Sequence, residues 1–220
     1  MSENRWISDL HWRRDSQQSR GERTQNALLD AAENLIVEKG LDGATVAEIA
    51  RRAGSSIGSF YHHFKDRKAL FYAVFHRMTR SIEDLNQQVA DDERWKDASL
   101  RDLLEGFIEL RLHQLRAGGA SKLAAALVMA NHPELKSHMA DIKRTANLKL
   151  LTMILDRKAE IGHPDPEFAA RFVIDQLSAI FYARSDPYQR QSAIAECDDG
   201  VFKAEVLKLA TSLLGLRRDR

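Results

Sequence analysis

An all-α fold of about nine helices is the structure that this sequence predicts, on three observations. Apolar residues recur every three or four positions along most of the 220 residues, as on one face of a helix. Only 4 residues are proline and 11 are glycine, a composition that favours helical globular proteins. No segment shows the apolar–polar alternation that is typical of a strand. The length allows one or two domains with a buried core.

The composition limits the cellular compartment and the kinds of cysteine chemistry that the chain can use. The formal net charge is only +1, and Cys197 is the one cysteine, so neither an intrachain disulfide nor a thiolate zinc site can form. No apolar run approaches the roughly 20 residues that span a bilayer, and the first residues lack the apolar core of a signal peptide. We therefore expect a cytoplasmic protein without a cofactor.

Two short helices around a tight turn form the centre of the chain. The first is predicted from Val46 to Ala53, with Thr45 as its N-cap and Glu48 completing a capping box. Gly54 stands where a left-handed turn residue belongs, and Ser55 and Ser56 precede a second helix that ends near His63. A helix, a turn containing glycine and a second helix make a helix-turn-helix.

The outer face of the second helix suits a major groove. Its side chains are small or hydrogen-bonding: Ser56, Gly58, Ser59, Tyr61, His62 and Lys65. Small residues allow close approach, while hydroxyl and amino groups reach phosphates and base edges. Between residues 43 and 68 five basic residues stand against two acidic ones, which gives +3 on a chain of +1. This local charge favours contact with nucleic acid.

This stretch resembles the DNA-binding domain of the tetracycline-repressor (TetR) family of bacterial regulators. The resemblance covers about Arg23 to Val74. It rests on Thr45-Val46, Ile49-Ala50, Ala53-Gly54, Ser56, Gly58, Ser59-Phe60-Tyr61, Phe64 and Ala69-Leu70. Two residues depart from the family pattern. Ile57 stands where many members have a basic residue, and Arg67 replaces a usual lysine.

The resemblance implies a DNA-binding surface on the two central helices. Phosphate contacts are expected from Thr45, Ser56, Tyr61, Lys65 and Arg67. Ser55, Ile57, Ser59 and His62 are expected near bases, where Ile57 can touch a thymine methyl group. Arg52 and Gly58 complete the predicted DNA-binding set.

Seven further helices are predicted around this centre. One runs from about Gln25 to Lys39, capped by Thr24 and ended by Gly40, and another begins after the N-cap Asp66. After a charged linker at 91–99, helices are expected at about 100–116, 121–131, 133–161, 166–184 and 201–216. We expect a DNA-binding domain at 23–83 and a regulatory, effector-binding and dimerisation domain at 84–220.

Residues 1–22 are expected to form a flexible N-terminal arm. They are polar and charged, with Trp6, Ile7, Leu10 and Trp12 interspersed. The arm is either disordered, or inserted into the minor groove as homeodomain arms are, or docked on the body through its tryptophans. The sequence leaves these alternatives open.

The TetR layout also implies a dimer and an effector pocket. The last two long helices are expected to pair with their copies through Phe168, Phe172, Ile180, Phe202, Leu209 and Leu213. A pocket for a small molecule is expected among the preceding helices, lined by Phe107, Arg111, His113, Met129, Asn147, Met153, Gln176 and Phe181. A polar residue such as Gln176 on an apolar face needs a partner, either a ligand or the other subunit.

No catalytic or metal-binding constellation is found in the sequence. It lacks a glycine-rich phosphate loop, a nucleophile elbow and the HExxH pattern. His132, Glu134 and His138 invite a metal site, but such a set is more typical of a solvated helix start. We therefore expect a homodimeric repressor that an effector releases from operator DNA. The alternatives are a helical interaction or enzyme domain with a structural helix-turn-helix, and a TetR-type activator without a ligand.

Overall fold

The computed structural model describes residues 20–116, 119–185 and 191–216, which form ten α-helices and no strand. The all-α prediction is confirmed. One helix more than the predicted nine is present, the four-residue helix Ala193–Glu196. The helices are α1 (Arg20–Gly43), α2 (Val46–Arg52), α3 (Ile57–His63), α4 (Arg67–Ala90), α5 (Leu100–Arg116), α6 (Gly119–Asn131), α7 (Glu134–Leu155), α8 (Pro166–Ser185), α9 (Ala193–Glu196) and α10 (Asp199–Leu213). The predicted N-terminal arm lies almost entirely outside the described residues.

Helix α1 differs from its prediction at its start. It includes Arg20, so Thr24 lies inside the helix and is not its cap. Gly40, however, has φ 71° and ψ 179°, which breaks the regular helix where the sequence places its end. A left-handed φ of this kind is costly for any residue with a Cβ, so the glycine signal is local and can be read from sequence.

The first of two compact units contains the described residues through Gln87 together with α6 and the start of α7, as far as Lys143. Its core joins side chains from α1, α2, α3, α4 and α6, among them Leu35, Ile49, Phe60, Phe75 and Val128, all completely buried. Since side chains of several helices meet in this core, packing fixes the inward faces of α2 and α3.

The second unit contains residues 88–117 and the chain from Arg144 onward. Helix α10 packs against α5 and α8. The predicted linker at 91–99 includes a short 3₁₀ turn, Glu93–Trp95, whose Trp95 is buried and donates to the carbonyl of Val89 at 2.8 Å. A Cβ at Gly106 would lie 2.2 Å from the Trp95 ring, so only glycine fits there.

The compact units and the predicted domains do not divide the chain in the same way. The predicted regulatory domain contains everything after residue 83, whereas α6 packs on α1 within the first unit. The apolar stripe of α6, with Ala124, Ala125 and Val128, correctly predicts a buried face. It does not identify the helix that covers this face. The division of functions at residue 83 remains a prediction. None of the helices in the described ranges combines the length and apolarity needed to cross a membrane.

A histidine pair in the first unit is expected to make its stability depend on pH. The rings of His76 on α4 and His138 on α7 lie 5.3 Å apart between centroids. Burial lowers the pKa of His76; His138 and Arg80 lower it further, and Glu83 opposes them. The folded chain disfavours the charged imidazole of His76. The contribution of His76 to the free energy of unfolding is therefore present above the ordinary histidine pKa of about 6.5, and it decreases as the pH falls below that value.

We therefore expect the midpoint temperature of unfolding to decrease when the pH is lowered from 7.5 to 5.5. The decrease should be smaller in the His76→Phe variant than in the parent. The measurement is thermal unfolding followed by circular dichroism at both pH values. His62→Gln, at an exposed histidine of α3, is the control and should retain the parent's pH dependence. An identical pH dependence in His76→Phe and the parent would contradict this assignment.

Candidate nucleic-acid interface

Local hydrogen bonds build the helix-turn-helix from α2 and α3. Thr45 Oγ1 accepts from the backbone N–H of Glu48 at 3.3 Å, and Ser56 Oγ accepts from that of Ser59 at 3.0 Å. Between the helices, Gly54 has φ 62°. The N–H of Ser55 donates to the carbonyl of Ala50 at 2.9 Å. Both predicted N-caps and the glycine turn are therefore present, as short-range hydrogen bonding requires.

The predicted capping box is only half correct. Thr45 caps α2, but the Glu48 carboxylate does not turn back to the N–H of Thr45. It accepts instead from Arg51 Nε at 2.9 Å and from Lys39 Nζ at 3.2 Å. These two bonds lower the pKa of Glu48 to about 2. Two cationic donors bind a carboxylate more strongly than one neutral N–H does, which explains the difference.

The inner face of α3 anchors it in the core. Phe60 is completely buried and Phe64 is 5% exposed, and their ring centroids lie 5.7 Å apart. Both belong to the same apolar cluster as Ile49 of α2. Large buried aromatic side chains fix the rotation of the helix about its axis, so the opposite face must point outward.

The outward face of α3 exposes two large side chains with apolar surface, Ile57 and Tyr61, among small polar residues. Ile57 is 50% exposed and Tyr61 is 55% exposed. Ser56, Gly58 and His62 are also exposed, and Ser55 and Ser59 are partly so. A Cβ at Gly58 would meet only Ser56 Oγ at 3.7 Å, so nothing inside the chain requires glycine there. A smooth face with one aliphatic and one phenolic group fits contact with base edges and phosphates.

Ion pairs occupy part of the predicted positive charge. Arg52 donates to Glu38 at 2.7 Å and Arg51 to Glu48 at 2.7 Å. The guanidinium groups hold the pKa values of both carboxyls below the ordinary range. The count of charges between residues 43 and 68 did not include Glu38, which lies on α1. Exposed pairs of this kind are weak, so a phosphate can compete for either arginine.

Of the remaining basic residues, Lys68 pairs with Glu134 at 3.6 Å, while Lys65 and Arg67 differ in how firmly they are held. Lys65 is exposed and has no ion-pair partner within the described ranges. The Arg67 guanidinium donates to the carbonyl oxygens of Leu41 and Asp42, both at 3.5 Å, and lies over the Phe71 ring. Arg67 therefore ties α4 to the end of α1, and of the two, Lys65 is the cation that is ready for a phosphate.

The predicted regulatory residues fall into two groups. Met129 packs against the core of the first unit, while the other seven predicted pocket residues, from Phe107 to Phe181, belong to the second. Arg111 is partly buried there and donates to Gln114 Oε1 at 2.8 Å. Gln114 was not among the residues predicted from the sequence, although its position three residues after Arg111 places both on one helix face.

Exposed apolar side chains concentrate on α8 and α10. Phe168 is 57% exposed and Phe172 is 41% exposed, and their rings stack with centroids 5.7 Å apart. Leu209 is 37% exposed, and Tyr182 and Val201, which were not predicted, are exposed too. Phe202, which was predicted at a dimer interface, is instead 3% exposed and packs edge-on against Phe181. Ile180 and Leu213 are partly buried.

The histidines around the start of α7 serve the packing of the first unit. His132 lies edge-on to the Tyr72 ring, and Tyr72 donates to the Glu134 carboxylate. His138 packs against Phe75 and His76. Within the described ranges no group of three or more histidine, cysteine or acidic side chains is placed to hold a metal ion.

The fold and this surface define a class of protein. The described part of the chain is all-α and presents the outer face of α3 from a helix-turn-helix with a buried inner face, an arrangement that is typical of DNA-binding proteins. Residues 28–74 match the family model of bacterial regulatory proteins of the tetR family. This match lies within the stretch, about Arg23 to Val74, that resembles the TetR family in sequence.

Known transcriptional regulators are similar to this chain in sequence or in fold. The HTH-type transcriptional regulator BetI of Klebsiella pneumoniae is 35% identical over 116 residues, which are 53% of this chain and 48% of BetI. The chain thus spans about half the length of the curated relatives that it matches. A tetR-family regulatory protein from Rhodococcus RHA1 has the same fold, with a TM-score of 0.66 and 20% identity over 91% of this chain and all of that one. FadR of Bacillus subtilis, solved with stearoyl-CoA, gives a TM-score of 0.63 and 17% identity over 85% of this chain and 97% of its own.

Proposed function

We propose that the chain is a homodimeric transcriptional repressor that binds operator DNA through α3 and is released by a small-molecule effector. The observation that carries the proposal is the outward face of α3. Ile57 and Tyr61 are half exposed there, although Phe60 beside them is completely buried. A helix that buries one face completely, and whose other face carries small and hydrogen-bonding side chains with a few larger ones, is suited to a major groove.

Each predicted DNA-binding residue can be given a role on this surface. Thr45 and Ser56 accept cap bonds, and each hydroxyl keeps its hydrogen to donate to a phosphate. Lys65 and Tyr61 supply further phosphate contacts, and Arg52 can exchange Glu38 for a phosphate. Ile57, Ser59 and His62 face bases, with Ser55 at the edge of the helix. Arg67 holds α4 against the end of α1 and reaches DNA only by giving up these bonds.

Two recognition helices are needed for a specific site. One helix reads only a few base pairs, and a two-fold dimer reaches a second half-site one helical turn away. The exposed Phe168 and Phe172 on α8, with Leu209 on α10, offer an apolar face for the second subunit. Phe202 is omitted from this interface because it is buried within its own subunit.

Effector binding would control the repressor through a shift between two forms of the dimer. The shift can be only as large as the difference in the effector's affinity for the two forms. The protein FadR, solved with stearoyl-CoA, shows this fold with a small molecule bound. The second unit, which holds seven of the eight predicted pocket residues, is the proposed place for the effector. A regulator of chromosomal DNA would act in the cytoplasm.

Retention on duplex DNA tests this proposal against a purely structural helix-turn-helix. The full chain should be held on immobilised duplex DNA at low salt and should elute steeply as salt rises, since phosphate contacts release counterions. A chain that passes through the column at low salt, while remaining helical by circular dichroism, would refute DNA binding.

The salt dependence also identifies Lys65 individually. We expect Lys65→Ala to flatten the plot of log affinity against log salt by about one ion per subunit, because one phosphate contact is lost. The affinity is measured by fluorescence anisotropy on one duplex at four salt concentrations. Lys136→Ala, at an exposed lysine of α7, is the matched control and should leave the slope unchanged. An unaltered slope in Lys65→Ala would remove Lys65 from the phosphate contacts.

A further inference from the structure

An arginine without an acidic partner lies on α5 in the second unit. Arg111 Nη1 donates to Gln114 Oε1 at 2.8 Å, and the guanidinium carbon lies 5.6 Å from the centroid of the Phe181 ring. Phe181 is 2% exposed and Gln114 is 7% exposed. Burial lowers the pKa of Arg111, whereas acidic neighbours raise the pKa values of Arg51 and Arg52. An arginine nevertheless remains protonated in proteins, so a positive charge is held here in a desolvated place.

Carboxylates on α5 and at the start of α10 are bound by other cations. Glu105 and Glu109, on the same helix, accept from Lys203 Nζ at 2.9 and 2.7 Å. Asp199 accepts from Arg184 Nη2 at 2.7 Å. No carboxylate of the described residues pairs with Arg111. A partly buried charge without a counter-ion is costly, and a cost of this kind is typical of binding sites.

Gln114 adds a second unsatisfied group. Its Oε1 is directed at Arg111, because only the oxygen of the amide can accept from a guanidinium. The amide nitrogen Nε2 must then point elsewhere, and it is the buried side-chain atom that lacks a hydrogen-bond partner among the described residues. A buried donor left unpaired costs free energy that an incoming acceptor would recover.

The two groups together describe one kind of ligand. We propose that Arg111 and Gln114 bind the carboxylate of a small organic acid whose apolar body packs against Phe107 and Phe181. A planar carboxylate can accept two parallel bonds from a guanidinium and still has lone pairs for an amide N–H. Phe107, Arg111 and Gln114 are spaced by four and three residues, so they share one face of α5. This inference rests on the proposed function, since it gives the chemical class of the effector.

Matched acids and amides test the inference directly. The midpoint of thermal unfolding of the full chain is measured with octanoate, benzoate, octanamide and benzamide. The two carboxylates should raise the midpoint by about 3–5 °C at ten times their dissociation constants. The amides, which have nearly the same shape but no charge, should not. Isothermal titration calorimetry then gives the dissociation constants.

Variants at the site identify the residues. Arg111→Met should weaken carboxylate binding by about 100-fold, and Gln114→Leu by about tenfold, since a bond to a charged group is lost in each case. Without ligand, Arg111→Met should unfold at a temperature no lower than the parent, because an unpaired charge is removed. If Arg111→Met does not fold, Arg111→Lys, which keeps the charge and loses the paired bonds, should still weaken binding. Arg101→Met, at an exposed arginine of the same helix, is the control and should bind as the parent does.

Three results would overturn the inference: no shift with either carboxylate, equal shifts with the amides, or unchanged affinity in Arg111→Met. The binding is measured without DNA, so its failure is distinct from failure of the proposed function. A chain that binds its operator but no carboxylate would overturn only the effector class. A chain that binds carboxylates but no duplex DNA would overturn only the repressor.

Discussion

Tyr61→Ala is expected to weaken operator binding severely while leaving the protein folded and dimeric. The ring of Tyr61 is 55% exposed and touches Phe60 only edge-on, with centroids 5.3 Å apart, so its removal leaves the core intact. Loss of a specific contact costs about 1–3 kcal/mol, and a dimer loses two of them. The affinity should therefore fall by a factor of roughly 30 or more, at 1.4 kcal/mol per factor of ten.

The operator for this experiment is obtained by repeated capture from a random duplex library, and affinities are measured by fluorescence anisotropy. Tyr61→Phe, which removes only the hydroxyl group, should lose less than Tyr61→Ala if the ring also contacts the DNA. Leu123→Ala, at an apolar side chain of α6 that is 49% exposed, is the matched control and should bind as the parent does. Parent affinity in Tyr61→Ala would show that this face of α3 does not bind the operator.

Phe172→Glu is expected to convert the dimer into monomers. The stacked Phe168 and Phe172 form an exposed aromatic patch on α8, and burying one such ring is worth about 1.5–3 kcal/mol. A two-fold interface contains each residue twice, and a buried glutamate adds a desolvation cost. The dissociation constant of the dimer should rise by at least a factor of about 100. Operator binding should weaken with it, because a monomer reaches only one half-site.

Analytical ultracentrifugation over a range of concentrations measures this change. Leu148→Glu is the matched control, because Leu148 is also an apolar residue that is 57% exposed but lies on α7. It should leave the dimer intact, and Phe172→Leu should weaken it only slightly. A Phe172→Glu protein that sediments as the parent dimer would place the interface on another surface.

The recognition unit could be predicted from the sequence because its determinants are local. The caps Thr45 and Ser56 and the turn residue Gly54 act within three to five residues along the chain. Asp66 likewise caps α4 through the N–H of Ala69 at 2.7 Å. Such hydrogen bonds depend on residue type and spacing, which a sequence displays directly.

Contacts between distant residues could not be predicted in this way. Arg52 and Glu38 are 14 residues apart and on different helices, so a local count of charge overstates the free cations near α3. Helical periodicity predicted that Phe202 has an apolar environment, but it cannot distinguish a neighbouring helix from a second subunit. Gln114 was overlooked because an amide that lacks a partner is visible only once the surrounding side chains are placed.

The proposed function requires that α3 reads a specific duplex as part of a dimer. The most direct measurement is an anisotropy titration of the full chain on its captured operator, at two salt concentrations and with random duplex as competitor. We expect binding that survives the competitor, weakens steeply with salt and saturates at two chains, or a multiple of two, per operator. Equal affinity for operator and random duplex, or no binding to either, would contradict it.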